Sequence, residues 1–491
     1  MQIKDFKKVY CIGIKGAGIT AVAEILKARG IEISGSDTSE VFYTDAILKR
    51  AGIAFFETFE AEHVPNDADV VVFSTAYSAE TNIELKTAGE KKIPLLSYPE
   101  MLGLFFAEKM GLAVCGTHGK TTTSAILAQT LLVAGADPSA IVGSQVLDWG
   151  SSVLAGQGQY FVAESDEYQN KLKFYEPWSA ILTSVDWDHP DFFPDFESYK
   201  KVFKDFVVKI PKVGHLVVWG DSVDTLEVAR AANCQVATYG FGEDNEYRVM
   251  EYGAQNMDQK AVSSEQRTIN NIQKTTDNKQ QKINNKKDTN LQSFEVFFKE
   301  KSLGIFRTPL AGKHNVLNCT SVIALCHKLG IDLEKVGLAL QEFKGTSRRF
   351  EQIGTFKNAI LIDDYAHHPD EIKATLSGAR QRYGDQKIWT VFHPHTFTRT
   401  KALLQEFAQS FDDTDKVFVL DIYGSAREQQ GGVSSAQLVA LINKYNHDKA
   451  EHIATIEQAV EYLKQHAGEF EVLITMGAGD VWKVAQKLLN C

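Results

Sequence analysis

The sequence predicts an α/β protein of three domains, each built on a largely parallel sheet. A chain of 491 residues is too long for one hydrophobic core, and its length is typical of about three domains. Short apolar runs alternate with stretches of helical length along most of the chain. This alternation is typical of parallel strands joined by crossover helices. Two glycine-rich turns, at residues 13–18 and 116–119, follow apolar runs and precede helix-like stretches, which is the order found in nucleotide-binding domains.

Composition excludes several functional classes. The net charge of -11 disfavours a nucleic-acid surface. The six cysteines form no CxxC pair, which indicates reduced thiols and not a disulfide framework or a zinc site. No apolar run approaches the roughly 18 residues of a membrane span, and the N-terminus lacks the apolar region of a signal peptide. We therefore expect a cytoplasmic protein with no nucleic-acid partner and no membrane span.

The first predicted domain covers residues 1–108. Its strands are predicted at "KVYCIGI", "IEISGSD", "ADVVVFS" and "IPLLSY". The loop after the first strand has the spacing G-x-x-G-x-G (Gly13, Gly16, Gly18) instead of the dinucleotide pattern G-x-G-x-x-G, and Asp37 follows the second strand where a ribose-binding acid would lie. The loop is consistent with NAD, with a nucleotide sugar, or with close helix–strand packing alone.

The second predicted domain covers residues 109–346 and opens with "GLAVCGTHGKTTTSAILAQTLLVAG". The usual phosphate loop is G-x-x-x-x-G-K-[ST], but Val114 stands where its first glycine belongs. A glycine turn before a helix N-terminus still directs backbone N–H groups at an anion. We expect Lys120 to contact the β- and γ-phosphates and the Thr121 hydroxyl to bind Mg²⁺.

Two later strands of this domain are predicted at "YFVAESDE" and "SAILTSVDWDH", and their C-terminal ends carry acidic residues and a histidine. Ligands of open α/β sheets bind outside the carboxyl ends of strands, and Mg²⁺ prefers oxygen ligands. Each acid alone is equally well explained as a solvated turn or a helix cap. Together they predict a metal set, in which the histidine indicates a second metal position: Glu164, Asp166, Glu167, Asp186, Asp188 and His189.

Residues 255–292 interrupt the α/β pattern. The segment is rich in Asn and Gln and has no aromatic residue, Gly or Pro, so it cannot bury enough apolar surface to offset its ordering entropy. The flanking "YRVMEY" and "SFEVFF" have strand patterns. We predict a disordered loop between two hairpin strands. A regulatory or partner-binding insert is the alternative.

The third predicted domain covers residues 347–491. Its loops "DDYAHHP" and "HPHTFTRT" follow predicted strands and carry four histidines and an arginine: His367, His368, His393, His395 and Arg399. Such loops suit a metal, an anionic or amino-acid substrate, or no ligand at all.

At this point several motifs resemble the Mur ligases of bacterial cell-wall synthesis: "GTHGKTTT", "ESDE", "GKHNVLN", "RRFE" and "DDYAHHP". Their order and spacing match that family over nearly the whole chain, and G-T-x-G-K-T is the family's own loop. The resemblance implies a Rossmann-like N-terminal domain for a UDP-substrate, a central P-loop-type ATPase domain with a parallel sheet, and a Rossmann-like C-terminal domain.

Within the family, "GIKGAGITAVAEIL", "HPHTFTRT" and "DIYGSAREQQGGVSS" resemble the branch that joins L-alanine to UDP-N-acetylmuramate in peptidoglycan precursor synthesis, which serves cell shape and division. The resemblance implies an ATP-dependent ligase with an acyl-phosphate intermediate and with ATP and Mg²⁺ as cofactors. Tyr168 and Ala366 differ from the motifs of this branch and resemble those of the related recycling ligase, which attaches a tripeptide. That recycling reaction is the first alternative. An NAD-dependent oxidoreductase is a more distant one. We expect a monomer or a homodimer.

The resemblance also implies the following site residues. The ATP site comprises Gly116, Thr117, His118, Gly119, Lys120, Thr121, Thr122, Asn315, Asn318, Arg349 and Asp364. The UDP-substrate site comprises Gly16, Gly18, Ser36, Asp37, Ser74 and His118. The metal ligands are Thr121, Glu164 and His189, and the amino-acid site comprises Tyr365, His367, His368 and Arg399. The catalytic residues are Lys120, Glu164, His189, His368 and Arg399.

Overall fold

The computed structural model describes residues 1–190, 192–252, 291–424 and 431–491. Three sheets follow one another along the chain, and helices pack beside each of them. The predicted α/β class is therefore confirmed. The predicted disordered loop lies outside the described residues, apart from residues 291 and 292, and so does part of the motif that begins at residue 421.

The first sheet is parallel throughout and has the order β3-β2-β1-β4-β5. Its strands are β1 (Lys8–Ile12), β2 (Glu32–Ser36), β3 (Ala54–Phe56), β4 (Val70–Phe73) and β5 (Leu95–Ser97). Its helices are α1 (Ala17–Ala28), α2 (Thr44–Arg50), α3 (Ile83–Glu90) and α4 (Tyr98–Glu108), with 3-10 turns at Ile3–Asp5 and Ala61–His63. The strand order reverses between β1 and β4, so the crevice at their carboxyl ends is the expected ligand position, and the glycine loop follows β1 directly.

The second sheet has the order β15-β14-β13-β12-β11-β10-β6-β9-β7-β8. Its strands are β6 (Met110–Cys115), β7 (Ser139–Val146), β8 (Ser151–Ala155), β9 (Tyr160–Glu164), β10 (Ser179–Leu182), β11 (His215–Trp219), β12 (Gln235–Gly240), β13 (Tyr247–Tyr252), β14 (Gln292–Phe298) and β15 (Lys301–Thr308). Its helices are α5 (Lys120–Val133), α6 (Phe196–Val207), α7 (Val223–Ala229), α8 (Lys313–Lys328) and α9 (Leu333–Glu342), with a 3-10 segment at Tyr168–Phe174. Strand β6, which leads into the phosphate loop, lies between β9 and β10 and is parallel to both.

The two strands predicted beside the insert form the expected hairpin. Strands β13 and β14 are antiparallel, and the pairing continues to Tyr252 opposite Ser293. Their ends therefore lie next to each other at the point where the insert joins the sheet.

The third sheet has the order β16-β17-β21-β18-β19-β20, and only the pair β16–β17 is antiparallel. Its strands are β16 (Glu351–Phe356), β17 (Ala359–Asp364), β18 (Ile388–Phe392), β19 (Lys416–Val419), β20 (Ala450–His452) and β21 (Val472–Met476). Its helices are α10 (Pro369–Tyr383), α11 (Phe397–Ala402), α12 (Leu404–Ala408), α13 (Ser435–Asn446), α14 (Ile456–Gln465) and α15 (Trp482–Leu489). The histidine-rich loops predicted from sequence follow β17 and β18, which places both at the carboxyl edge of this sheet.

Neighbouring units pack directly on one another. Phe105 and Phe106 of α4 lie against Phe161 of β9, with ring centroids 5.3 and 5.2 Å apart, so one apolar core continues from the first sheet to the second. Residues 345–347 run along β7, where the Ser347 amide donates to the Gln145 carbonyl at 2.8 Å. The boundaries at residues 108 and 346 stay predictions. In the described parts of the chain no helix combines the length and the apolarity that a membrane crossing needs.

Candidate active site

The phosphate loop needs its glycines for steric reasons. Gly116 has φ +127° and Gly119 has φ +78°, both in the region that favours glycine. A Cβ at Gly116 would collide with Thr183 Oγ1 and lie 2.7 Å from the Ser184 carbonyl oxygen. Val114, by contrast, is buried within β6. The loop is therefore a shorter version of the common phosphate loop, whose first required glycine is Gly116.

The chain after β10 follows this loop closely. The sequence pattern predicted a strand through to residue 189, but β10 ends at Leu182. Thr183 Oγ1 then donates to the His118 carbonyl at 2.5 Å, and the Asp186 amide donates to Thr117 Oγ1 at 2.8 Å. The strand prediction was too long because these polar groups bond the loop instead of a neighbouring strand.

Lys120 is held at the start of α5 by acceptors of the protein itself. Its Nζ donates to the carbonyl oxygens of Gly116 (2.5 Å) and Thr117 (3.0 Å) and forms an ion pair with Glu167 Oε2 at 3.0 Å. Burial alone would lower the pKa of Lys120, but the carboxylates of Glu167, Asp166 and Glu164 outweigh it and raise the pKa. A fixed positive charge therefore lies at the helix N-terminus, where it suits a phosphate.

Thr121 and Glu164 lie together as the sequence predicted. Thr121 Oγ1 donates to Glu164 Oε1 at 2.9 Å, and the Gly143 amide donates to Glu164 Oε2 at 2.6 Å. Burial raises the pKa of Glu164. A hydroxyl oxygen beside a carboxylate, next to a phosphate loop, fits the oxygen preference of Mg²⁺.

His189 belongs to a second group of donors. Ligand atoms of Asp166, Glu167 and His189 lie within 4.8 Å of one another, and His189 Nε2 is 3.8 Å from Glu167 Oε1. Glu164 is not a member of this group, so the predicted metal set divides into two positions. Glu167 links the group to Lys120 and also accepts a hydrogen bond from the buried Tyr199 hydroxyl at 2.8 Å. Sequence reasoning missed Tyr199 because an aromatic residue on an amphipathic helix is normally a core residue.

A cavity of about 310 Å³ lies beside the phosphate loop, which is near the lower limit of typical ligand pockets. Predicted ATP residues from two sheets line it: His118, Gly119, Thr122, Asn315, Asn318, Arg349 and Asp364. The lining residues that were not predicted include three aromatic side chains and one imidazole: Trp219, Tyr239, Phe350 and His314. Burial lowers the pKa of His314 to about 4, so its ring is neutral near pH 7. Aromatic and neutral rings next to amide side chains suit a planar base.

The third sheet contributes a buried cation to the cleft. Arg399 Nη2 donates to Asp188 Oδ1 at 3.1 Å, and both side chains are nearly buried. Arg399 Nε is also buried and has no hydrogen-bond partner within the part of the chain that the structure describes. Burial would raise the pKa of Asp188, but Arg399 outweighs this effect and lowers it below its usual range. The pair joins the "DWDH" segment of the second sheet to the "HPHTFTRT" loop of the third.

The other predicted C-terminal residues lie at the end of β17 and in the loop that follows it. Asp364 Oδ1 and Oδ2 accept from the amides of Ala366 and Phe350, both at 2.7 Å, and burial raises the pKa of Asp364 to about 6. The Tyr365 ring lies 5.2 Å from the Arg349 guanidinium. His368 caps α10, with Nδ1 accepting from the Asp370 amide at 3.4 Å.

His118 reaches from the phosphate loop into the third unit. Its Nδ1 is 3.2 Å from Glu371 Oε1, and its ring centroid is 4.8 Å from that of His368. His118 Nε2 is buried and, among the described residues, has no hydrogen-bond partner. Glu371 was not predicted, although its place three residues after a helix cap is a recognisable signal.

In the first sheet, the predicted UDP-site residues mostly stabilise the glycine loop itself. Asp37 Oδ2 accepts from the Lys15 amide at 2.7 Å, and the Ser36 hydroxyl is buried against Glu84. Ser74 packs beneath the turn: a Cβ added at Gly13 would lie 2.9 Å from the Cβ of Ser74. Gly16 ends the loop at the exposed N-terminus of α1. The ligand contacts of these residues stay predictions.

Three domain families match the chain in order: "Mur ligase family, catalytic domain" at residues 8–110, "Mur ligase middle domain" at 114–326, and "Mur ligase, glutamate ligase domain" at 348–479. A UDP-N-acetylmuramate–L-alanine ligase of Desulfitobacterium hafniense (strain Y51) is 38% identical over 482 residues, which is 98% of this chain and 99% of that protein. One of Alkaliphilus metalliredigens (strain QYMF) is 37% identical over 491 residues, which is 100% of this chain and 98% of that protein.

Two solved structures are similar along their whole length. The UDP-N-acetylmuramate-alanine ligase of Thermotoga maritima has a TM-score of 0.76 and 25% identity, covering 98% of both chains. A murein peptide ligase of Psychrobacter arcticus 273-4 has a TM-score of 0.67 and 21% identity, covering 99% of this chain and 98% of its own. The second similarity concerns the fold alone.

Proposed function

Because the chain belongs to the Mur ligase family, matched along all three domains, we propose that it joins L-alanine to the lactyl carboxylate of UDP-N-acetylmuramate while ATP is split to ADP and phosphate. The observation that carries the proposal is the meeting of three features in one cleft. These are the phosphate loop with Lys120, the acidic groups around Glu164 and Glu167, and Arg399 of the third domain. The full-length relatives with this activity support the same reading.

The reaction has two steps. A carboxylate oxygen of the muramate attacks the γ-phosphorus of ATP, the bond to the β–γ bridging oxygen breaks, and ADP leaves with an acyl phosphate remaining. The alanine nitrogen then attacks the carbonyl carbon, the carbon–oxygen bond to phosphate breaks, and the nitrogen loses a proton. The first step brings two anions together, so preorganised cations and N–H donors contribute most to catalysis.

In the first step, Lys120 and the N-terminus of α5 bind the phosphates. Thr121 and Glu164 fit one Mg²⁺ ion, and Asp166, Glu167 and His189 fit a second; when bound, these ions neutralise phosphate and carboxylate charge. Lys120 Nζ donates to the Glu167 carboxylate, so a γ-phosphate binds Lys120 by sharing or replacing that contact.

In the second step, hydrogen bonding assigns different roles to two adjacent histidines. His368 Nδ1 accepts the cap bond of α10, so its proton lies on Nε2, which is buried and has no partner among the described residues. His368 therefore donates toward an oxyanion. His367 Nδ1 donates to the Tyr365 carbonyl at 3.0 Å, and burial lowers the pKa of His367 to about 3, so its neutral Nε2 is the acceptor. The hydrogen bonding thus supports oxyanion binding by His368 better than proton removal from the amine.

The direct test is phosphate release by the full-length protein with ATP and Mg²⁺. We expect release only when UDP-N-acetylmuramate and an amino acid are both present, and Lys120→Met should reduce it by about 10³-fold. Equal ADP formation without either substrate would refute the ligase.

The choice of amine is tested by competition. L-alanine, L-serine, glycine and the cell-wall tripeptide are offered together with UDP-N-acetylmuramate, and the products are separated by mass. We expect the alanyl product to dominate. A dominant tripeptide product would instead assign the chain to the recycling reaction.

We further infer that the protein acts in the cytoplasm, where ATP and nucleotide-linked precursors are found, as a monomer or a homodimer. Sedimentation equilibrium distinguishes the two states.

A further inference from the structure

Glu371 lies in the first turn of α10, and its carboxylate contacts groups from three parts of the chain. Oε1 is 3.2 Å from Nδ1 of His118 in the phosphate loop and 4.0 Å from Nη1 of Arg349, which precedes β16. Oε2 accepts from the amides of His367 (3.1 Å) and His368 (3.3 Å). The side chain is 15% exposed. One largely buried carboxylate therefore links the central domain, the segment between the domains and the C-terminal domain.

The two carboxylate oxygens have separate tasks. Oε2 completes the capping box of α10, in which His368 is the cap and Glu371 the third helical residue. A neutral amide oxygen would serve this cap equally well. Oε1 is not needed for the cap and faces His118, which is 253 residues away in sequence. The negative charge therefore serves the contacts of Oε1, of which the shorter is the one with the phosphate loop.

Four charged or titratable groups surround the His118 ring. Glu371 and Asp186 are acidic, with Asp186 Oδ2 3.8 Å from Nε2, and Lys120 opposes a positive charge on the ring. The fourth group is His368, whose ring centroid lies 4.8 Å from that of His118. Burial would lower the pKa of His118, but Glu371 and Asp186 outweigh it and raise the pKa. The protonated ring is thus favoured, and its buried Nε2–H has no partner among the described residues.

We propose that Glu371 is a positioning residue that acts through His118: it orients the imidazolium of the phosphate loop toward the bound phosphates and couples that orientation to contact by the C-terminal domain. The inference rests on the proposed function, which supplies the ATP phosphates that His118 Nε2 would meet. When the C-terminal domain contacts the central domain, the capped N-terminus of α10 brings Glu371 to His118. Glu371 therefore orients His118 only in the assembled cleft.

The test compares Glu371→Gln with wild type in the full-length protein. Glutamine keeps the cap acceptor and the volume, removes the charge and replaces the Oε1 acceptor by an NH2 donor. Glu457→Gln is the matched control, because Glu457 is also in the first turn of a C-terminal-domain helix but pairs with Lys487 on the surface. We expect kcat to fall about tenfold or more in Glu371→Gln, with an unchanged melting temperature, and to stay within about twofold in the control.

Two further measurements separate positioning from a structural role. In a double-mutant cycle with His118→Asn, the combined loss should not exceed the larger single loss by more than about twofold. In NMR titration of ring-¹³C-histidine protein, with the His118 signal assigned by its absence in His118→Asn, the titration midpoint of His118 should move to lower pH in Glu371→Gln.

The outcomes distinguish this proposal from the proposed function. If wild type releases no phosphate with both substrates, the ligase function fails, while the titration of His118 still tests the contact. Any of three results would overturn the positioning role: activity of Glu371→Gln within about twofold of wild type, losses of activity that multiply in the double variant, or an unchanged titration midpoint of His118.

Discussion

The ion pair between Asp188 and Arg399 holds the C-terminal domain against the central one, and removing it should open the cleft. The two atoms are 3.1 Å apart, and the side chains are only 11% and 9% exposed. Asp188→Asn keeps the shape and can keep the hydrogen bond from the His189 amide, which is 2.6 Å long in the wild type. Only the charge is lost, and it leaves Arg399 buried without its counter-ion.

The size of the effect follows from this burial. Breaking a buried ion pair by removing one partner costs about 3–5 kcal/mol. Because the pair joins two domains, the cost appears as opening, in which Arg399 regains water, and not as global unfolding. The ratio of assembled to open molecules should fall about 10²- to 4 × 10³-fold. The depressed pKa of Asp188 keeps the wild-type pair charged throughout the neutral range.

The assay combines kinetics with small-angle X-ray scattering. We expect kcat/KM for L-alanine to fall about 10²-fold or more and the radius of gyration to rise in Asp188→Asn. Asp205→Asn is the control, because Asp205 forms an exposed pair with Lys201 on one helix and such pairs contribute little. Unchanged kcat/KM together with an unchanged radius of gyration in Asp188→Asn would refute the reasoning.

Three other predictions concern the loop, the buried acid and the insert. Gly116→Ala should abolish ATP binding measured by calorimetry, because the new Cβ would collide with Thr183 and Ser184. Gly330→Ala is the control, because Gly330 also has a positive φ but lies in open space; this variant should cost about 1 kcal/mol of stability and leave ATP binding unchanged. Burial raises the pKa of Asp364 to about 6, so between pH 4 and pH 6 the folded state binds a proton that the unfolded state has lost. The free energy of unfolding should therefore fall by on the order of 1–3 kcal/mol from pH 4 to pH 7. Asp364→Asn should remove this component in urea titrations, and an unaltered dependence of the unfolding free energy on pH would contradict the prediction. Deleting residues 256–291 and joining β13 to β14 by a short turn should leave turnover within a few-fold, because the strand ends are paired, and a large loss would show that the insert is functional.

Sequence patterns predicted the local structure well where they were strongly periodic. The strands predicted at "KVYCIGI" and "YFVAESDE" are β1 and β9, and the strand predicted before the loop "DDYAHHP" is β17. The phosphate loop, the Thr121–Glu164 pair and the two C-terminal loops also lie where the motifs indicated. These features depend on residues close in sequence, which is the range that periodicity and turn chemistry describe.

Short or irregular elements were not predicted. Strand β3 has three residues, and β7 pairs with β8 through an irregular register at the sheet edge, so neither offers enough alternation to be recognised. The segment after β10 was read as strand because its polar residues resemble an alternating pattern, while in the fold they bond the phosphate loop.

Contacts between distant loops could not be predicted from the sequence. His118 meets Glu371 across 253 residues, and Asp188 meets Arg399 across 211. Nothing in a local pattern states which strand ends face each other across two sheets. For the same reason, Trp219 and Tyr239 were indistinguishable from core aromatics until the cavity placed them beside Asn315 and Asn318.

The most direct test of the ligase reaction follows one oxygen atom. UDP-N-acetylmuramate labelled with ¹⁸O in both carboxylate oxygens is incubated with ATP, Mg²⁺, L-alanine and the full-length protein, and the released phosphate is analysed by mass spectrometry. The acyl-phosphate route predicts one ¹⁸O in each phosphate molecule, because a carboxylate oxygen leaves with the phosphorus. Phosphate without ¹⁸O, formed at the same rate, would show that the carboxylate never attacks ATP and would contradict the proposed chemistry.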